Sequence, residues 1–119
     1  MMQPVRLSDK FALFSERWTP KIVAELNENN VLIAKVQGEF VWHTHEEDEF
    51  FFVVKGKLQI KLRDGDVWLE PGDLFVVPKG IEHCPVAAEE VQIMMIEPKT
   101  TKHTGDVVTE LTQSTYERL

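Results

Sequence analysis

The spacing of apolar residues changes once along the chain, near Pro20. Before that point Leu7, Phe11, Phe14 and Trp18 stand four, three and four apart behind Ser8. Such spacing lines one side of a helix, so it predicts a short amphipathic helix over 7–18 with Ser8 as N-cap and Pro20 as its end. After Pro20 the apolar residues fall into runs of strand length separated by turn residues. The runs are 22–26, 31–36, 40–45, 49–55, 57–63, 67–69, 74–77, one beginning near His83, and 91–97. A polar turn occupies 27–30, Gly38 breaks the second and third runs, and Gly56 closes the hairpin after 49–55. In 57–63 the alternation is strict: Leu58, Ile60 and Leu62 face one way and Lys57, Gln59, Lys61 and Arg63 the other, ahead of the Asp64-Gly65 turn. That is a half-buried strand. Many short strands joined by tight turns predict an all-β sandwich or small barrel. The segment 99–106 reads as a polar loop or tail, and 107–119 as a terminal strand or arm.

Composition narrows the partners rather than the fold. With 119 residues, 43% apolar and 28% charged, the chain has the size and make-up expected of one globular domain over 1–119: a helical segment 1–20, a barrel 22–97 and a tail 98–119. Thirteen Lys and Arg against twenty Asp and Glu leave a net charge of −7. No basic block stands apart from acids, which argues against nucleic acid and anionic membranes as partners. The apolar runs at 50–54 and 93–96 are far short of a membrane span, and no signal peptide is evident, so cytoplasm is the expected compartment. Cys84 is the single cysteine and cannot form an intrachain bridge.

The candidate chemistry lies in four residues. His43 and His45 are two apart in a strand-like run, so both side chains leave one face and can share a metal ion. Glu49 opens the next run and can return beside them if 46–48 make the connection, and His83 follows the Pro78-Lys79-Gly80 turn. Three neutral imidazoles and a carboxylate suit a borderline divalent metal such as iron, manganese, nickel, copper or zinc, with coordination positions left open. His103 sits in a polar tail without a partner at ligand spacing. Glu46, Glu47 and Asp48 read as a solvated turn. Alternation sends Phe51 to the face of Glu49 and Phe50 and Phe52 to the other, while Cys84 points away from the face of His83 and reads as a small buried hydrophobe. Trp18, Trp42, Trp68, Met94 and Met95 read as packing residues.

Gly38, four residues, His43-Thr44-His45, three residues, Glu49, six residues and Gly56 resemble the first motif of the cupin superfamily, in which five residues usually precede the first His. Gly72, five residues, Pro78, Lys79, Gly80, two residues and His83 resemble the second, although Ala87 stands where many members carry Asn. The resemblance covers 38–87, and the tail from Glu97 through Asp106 is similar to the ends of small single-domain cupins. It implies a jelly-roll barrel, a metal held by His43, His45, Glu49 and His83, and turn-forming roles for the Gly and Pro positions. It also implies a range of functions: dioxygenases, sugar isomerases, decarboxylases and proteins that only bind ligands.

Within that range, thiol dioxygenases commonly lack the carboxylate that Glu49 supplies here. Arg6, Arg17, Arg63 and Arg118 are the only arginines, and none is an evident anchor for a substrate carboxylate or phosphate. The expectation is therefore a metal-dependent, dioxygenase-like oxidoreductase acting on a small, aromatic or enediol-like molecule, with Glu49 as ligand and proton acceptor. A non-catalytic module that binds or senses a small ligand is the alternative, with a sugar isomerase-like cupin and an empty structural barrel behind it. Apolar surface on the N-terminal helix, the 91–96 strand and the C-terminal arm predicts a homodimer.

Overall fold

The computed structural model describes residues 2–101 and 115–119. Helix α1 (Leu7–Phe11) is followed by strands β1 (Lys21–Leu26), β2 (Asn29–Glu39), β3 (Glu49–Lys55), β4 (Leu58–Leu62), β5 (Val67–Leu69), β6 (Leu74–Val77), β7 (His83–Pro98) and β8 (Glu117–Arg118). The long β7 organises the barrel. One of its edges pairs with β2 from Pro98 back to Val86. Its other edge pairs first with β4, through His83 to Val86, and then with β3, through Gln92 to Ile96. The strand thus runs through both layers of a jelly roll, with β5-β4 attached at one end and β6-β3 at the other. Between them Val36 pairs with Val91 and Gly38 with Ala87, so β7 bulges outward over exposed Ala88, Glu89 and Glu90 and turns the corner. The β3–β4 turn packs into that bulge. Gly56 has φ +92° there, and a Cβ on it would lie 3.0 Å from the Glu90 carbonyl oxygen.

Alternation along the strands fills the barrel. Leu32, Ala34 and Val36 from β2, Phe51 and Val53 from β3, Leu58 and Ile60 from β4, and Val91, Ile93 and Met95 from β7 form one buried cluster. Phe11 and Phe14 form a second with Val23 and Ile33 outside the barrel. The apolar faces of the N-terminal helix and of 91–96, two of the three surfaces from which a dimer is expected, are thus largely covered within the chain, and most of the third, the C-terminal arm, lies outside the described residues.

Several boundaries differ from the sequence reading. The helix ends at Phe11 rather than Trp18, and Ser8 lies inside it while Arg6 occupies the N-cap without a side-chain hydrogen bond. A helix this short is marginal by itself, and residues 13–18 find better partners on β2: the Lys35 ammonium donates to the Phe14 carbonyl at 2.5 Å, and the Trp18 N–H to the Lys35 carbonyl at 2.9 Å. β2 continues through Gly38 instead of breaking there, and the strand near His83 and the 91–97 strand are one element. Segment 40–45 is not a strand. Its N–H groups at Phe40 and His43 bond to the carbonyls of Pro85 and His83, so three residues advance on one side against two on the other, and only His43 forms a bridge.

In the C-terminal region β8 runs parallel to β1, and Lys21, buried on β1, pairs with Glu117 at 2.7 Å and Glu16 at 3.0 Å. His103 and most of the 98–119 tail lie outside the described residues. Among the described residues no helix is long and apolar enough to cross a membrane.

Candidate metal centre

The barrel brings His43, His45, Glu49 and His83 together, all buried, with one candidate ligand atom from each and all four atoms within 4.8 Å of one another. Each is aimed by local backbone. A reciprocal pair of hydrogen bonds, His43 N–H to His83 carbonyl at 3.1 Å and the reverse at 3.0 Å, holds two of the rings side by side, with centroids 4.2 Å apart. The Gly80 N–H donates to the His45 carbonyl at 2.9 Å, and the Lys79 N–H to the Asp48 carboxylate at 2.9 Å. Asp48, expected to be merely solvated, thus clamps the turn before His83 to the turn before Glu49. His43 and His45 leave one face as expected, although irregular backbone rather than strand parity puts them there.

The ring orientations suit a cation. Nδ1–H of His43 donates to the Val41 carbonyl at 2.8 Å and Nδ1–H of His83 to the Ile81 carbonyl at 2.9 Å. A carbonyl only accepts, so in each neutral ring the Nε2 lone pair faces inward. The Nε2 atom of His43 is buried without a hydrogen-bond partner among the described residues, while those of His45 and His83 have only the Glu49 carboxylate. A buried polar atom without a partner is costly, and a metal ion is what this donor set would satisfy.

Glu49 Oε2 lies against Nε2 of His45, 3.3 Å from that of His83 and 3.9 Å from that of His43. Burial disfavours the Glu49 anion, but the facing His45 and His83 rings outweigh it and hold the carboxyl at about 2. Burial takes His43 down to about 4, keeping it neutral and able to donate a lone pair. For His83 burial also acts downward, and the Glu49 carboxylate reverses it, so the ring is raised.

His43 and Glu49 open onto a cleft with about 360 Å³ of space, part of it open to solvent. Its other walls are Trp18, Pro20, Ala34, Val36, Phe40, Phe51, Pro85, Ile93 and Met95. Phe51 stands on the face of Glu49, as alternation required, edge-on to His83. Trp18 and Met95 line the cleft rather than serving packing alone. Cys84 is fully buried, and burial pushes its thiol up, in keeping with an inert hydrophobe. The four arginines face away: Arg6 pairs with Asp9, Arg17 with Glu90, Arg63 with Glu82 while covering the Trp42 ring, and Arg118 with Glu25.

Sequence reading missed Glu97. It is 2% exposed at the end of β7, and neither carboxylate oxygen has a hydrogen-bond partner among the described residues. Burial, then Glu49 and Glu47, push its carboxyl well above the usual range. The signal was present: Glu97 continues the inward series Val91, Ile93, Met95.

With fold and geometry in place, the comparisons agree. Residues 30–97 match the cupin domain family, and the chain belongs to the cupin superfamily. A cupin-2 domain containing protein from Shewanella frigidimarina is 48% identical, with 79% of this chain and 93% of that one superposed at a TM-score of 0.78. Among curated relatives, 3-hydroxyanthranilate 3,4-dioxygenase of Ruegeria pomeroyi is 33% identical over 72 residues, 56% of this chain and 40% of that one. Acireductone dioxygenase of Phaeosphaeria nodorum is 34% identical over 77 residues, 56% and 44% respectively. The match spans less than two thirds of these relatives' length.

Proposed function

We propose that this chain, as one cupin domain, is a metal-dependent oxidoreductase of dioxygenase type acting on a small aromatic or enediol-like molecule. The observation that carries the proposal is the buried His₃Glu set, its imidazole nitrogens converging on one carboxylate and that of His43 without a hydrogen-bond partner, at the end of an otherwise apolar cleft. Dioxygenase relatives of two substrate types support the reaction class.

His43, His45, Glu49 and His83 would hold one divalent transition metal, with iron, manganese, nickel, copper and zinc all compatible with the donors. Such an ion supplies Lewis acidity and open positions at which a chelating substrate and dioxygen can meet. The protein's own groups do the rest. The Val41 and Ile81 carbonyls keep the His43 and His83 rings aimed, and the apolar walls exclude water around the substrate. Glu49, the one carboxylate among the four, would accept the proton of an incoming hydroxyl once it loosens from the metal. No arginine faces the described cleft to anchor a substrate carboxylate or phosphate, which disfavours decarboxylase and phosphosugar isomerase chemistry. A cytoplasmic homodimer is part of the proposal, and Leu13, Leu26, Trp68, Leu74 and Val76 are among the exposed apolar side chains that can make a contact.

The test is elemental analysis of untagged protein and of His45→Ala and Glu49→Ala variants, with oxygen uptake measured on catechol and enediol substrates. One metal per chain, lost in the variants, together with metal-dependent uptake is the expected result. Metal without turnover, but with ligand-dependent stabilisation, would replace the enzyme by a binding module. No metal in any preparation would overturn both.

A further inference from the structure

The left-handed backbone at Trp18 has no local explanation. Its φ is +58°, whereas the other non-glycine residue at positive φ among the described residues is Asn27, a type that tolerates this region in turns. For a bulky side chain this conformation is unfavourable, and such strain persists only where surrounding contacts impose it. Three contacts do so here. The Trp18 N–H donates to the Lys35 carbonyl, the indole Nε1–H donates to the Gln37 carbonyl at 2.8 Å, and the indole stacks on Phe40 at 4.6 Å between centroids and 19° between planes. Phe40 in turn meets His43 edge-on at 5.4 Å. The strained residue therefore ends an aromatic series that leads to the candidate metal centre, and its ring is a wall of the same cleft.

Resting on the metal-centre reading above, we propose that Trp18 is a specificity-determining residue: it shapes the cleft for an uncharged, planar aromatic diol whose oxygens face His43 and Glu49 while its ring lies among Trp18, Phe40, Phe51 and Met95. Two features select this class. The walls around His43 and Glu49 are aromatic or aliphatic side chains, which favour a flat apolar ring. The described lining contains no lysine or arginine, and its only charged residue is the Glu49 carboxylate, so a substituent carboxylate would be desolvated without a partner. An aliphatic enediol offers the same chelating oxygens but leaves the aromatic walls unfilled.

The proposal is tested by calorimetric titration of zinc-loaded protein, without oxygen, using catechol, 2,3-dihydroxybenzoate and the aliphatic enediol reductone. Phenol is titrated against metal-free protein as a probe of the cleft alone. Catechol is expected to bind most tightly. Trp18→Gly, which relieves the backbone strain and so favours a folded variant, weakens catechol and phenol by roughly three- to tenfold and leaves reductone unchanged. Trp18→Phe keeps a ring in place and restores most of the loss, which a merely structural role would not predict. Equal catechol affinity in Trp18→Gly, or tighter binding of 2,3-dihydroxybenzoate or reductone by the wild type, overturns the proposal even if metal binds. If zinc fails to load, the metal-centre reading falls, and phenol binding that depends on Trp18 still decides the role of the residue.

Discussion

Replacing Glu49 with Gln is a near-isosteric change that removes the one carboxylate among the three histidines. The Glu49 carboxyl is fully enclosed and held at about 2, against 4.5 for an ordinary glutamate. That difference of about 2.5 pH units, at about 1.4 kcal/mol per unit, corresponds to roughly 3 kcal/mol of stability in metal-free protein at neutral pH. Because the folded value lies below the unfolded one, the contribution is complete above 4.5 and disappears as pH falls from 4.5 to about 2. For 119 residues, at an unfolding entropy of about 2.1 cal/mol/K per residue, roughly 3 kcal/mol corresponds to a Tm lower by about 12 °C. The assay is urea unfolding of metal-free wild type and Glu49→Gln between pH 2 and pH 7. A deficit under about 1 kcal/mol at pH 7, or one that stays constant down to pH 2, would refute the electrostatic account. Added metal should then raise the Tm of the wild type and leave that of the variant unmoved.

Other perturbations test other parts of the molecule. Glu97 is raised by burial, so its neutral form is favoured by folding and its stabilising share is lost as pH rises above 4.5; Glu97→Gln should be more stable than wild type at pH 8 and lose that advantage by pH 4 in the same unfolding assay. Lys21 is raised because Glu117 and Glu16 outweigh its burial, so its contribution holds at neutral pH and is lost as pH rises beyond 10.5. Lys21→Met should cost on the order of 1 kcal/mol at pH 7, since both carboxylates can be rehydrated, and hydrogen exchange should quicken at Leu119, whose N–H bonds to the Ile22 carbonyl. Gly56→Ala meets both a positive φ and the Glu90 carbonyl, and thermal unfolding should show a loss of about 1–3 kcal/mol. His83 is raised in metal-free protein, so metal must displace its proton, and affinity in a competition titration should increase with pH from 6 to 8.

The sequence by itself determined the architecture and the membership of the site. Strict alternation in β4 follows from one buried face, and a one-residue slip would expose Leu58 and Ile60 together. The Gly and Pro turns bound the strands, so the order of elements was legible, and the spacing around His43, His45, Glu49 and His83 was enough to gather them. Tertiary structure decided what local pattern could not carry. Leu7, Phe11, Phe14 and Trp18 have helical spacing, yet β2 offers Lys35 and Gln37 as partners, and those non-local hydrogen bonds pull 13–18 into an extended path with Trp18 strained over the cleft. Segment 40–45 has strand composition, but its partner on β7 advances at a different rate, so a ladder never forms. Glu97 shows the same division. Alternation places it inside, and only the closed barrel, with Glu49 nearby and no hydrogen-bond partner among the described residues, pushes its carboxyl up. Periodicity reports which face a residue takes, whereas strain, protonation and the shape of a cleft depend on which distant segments arrive at that face.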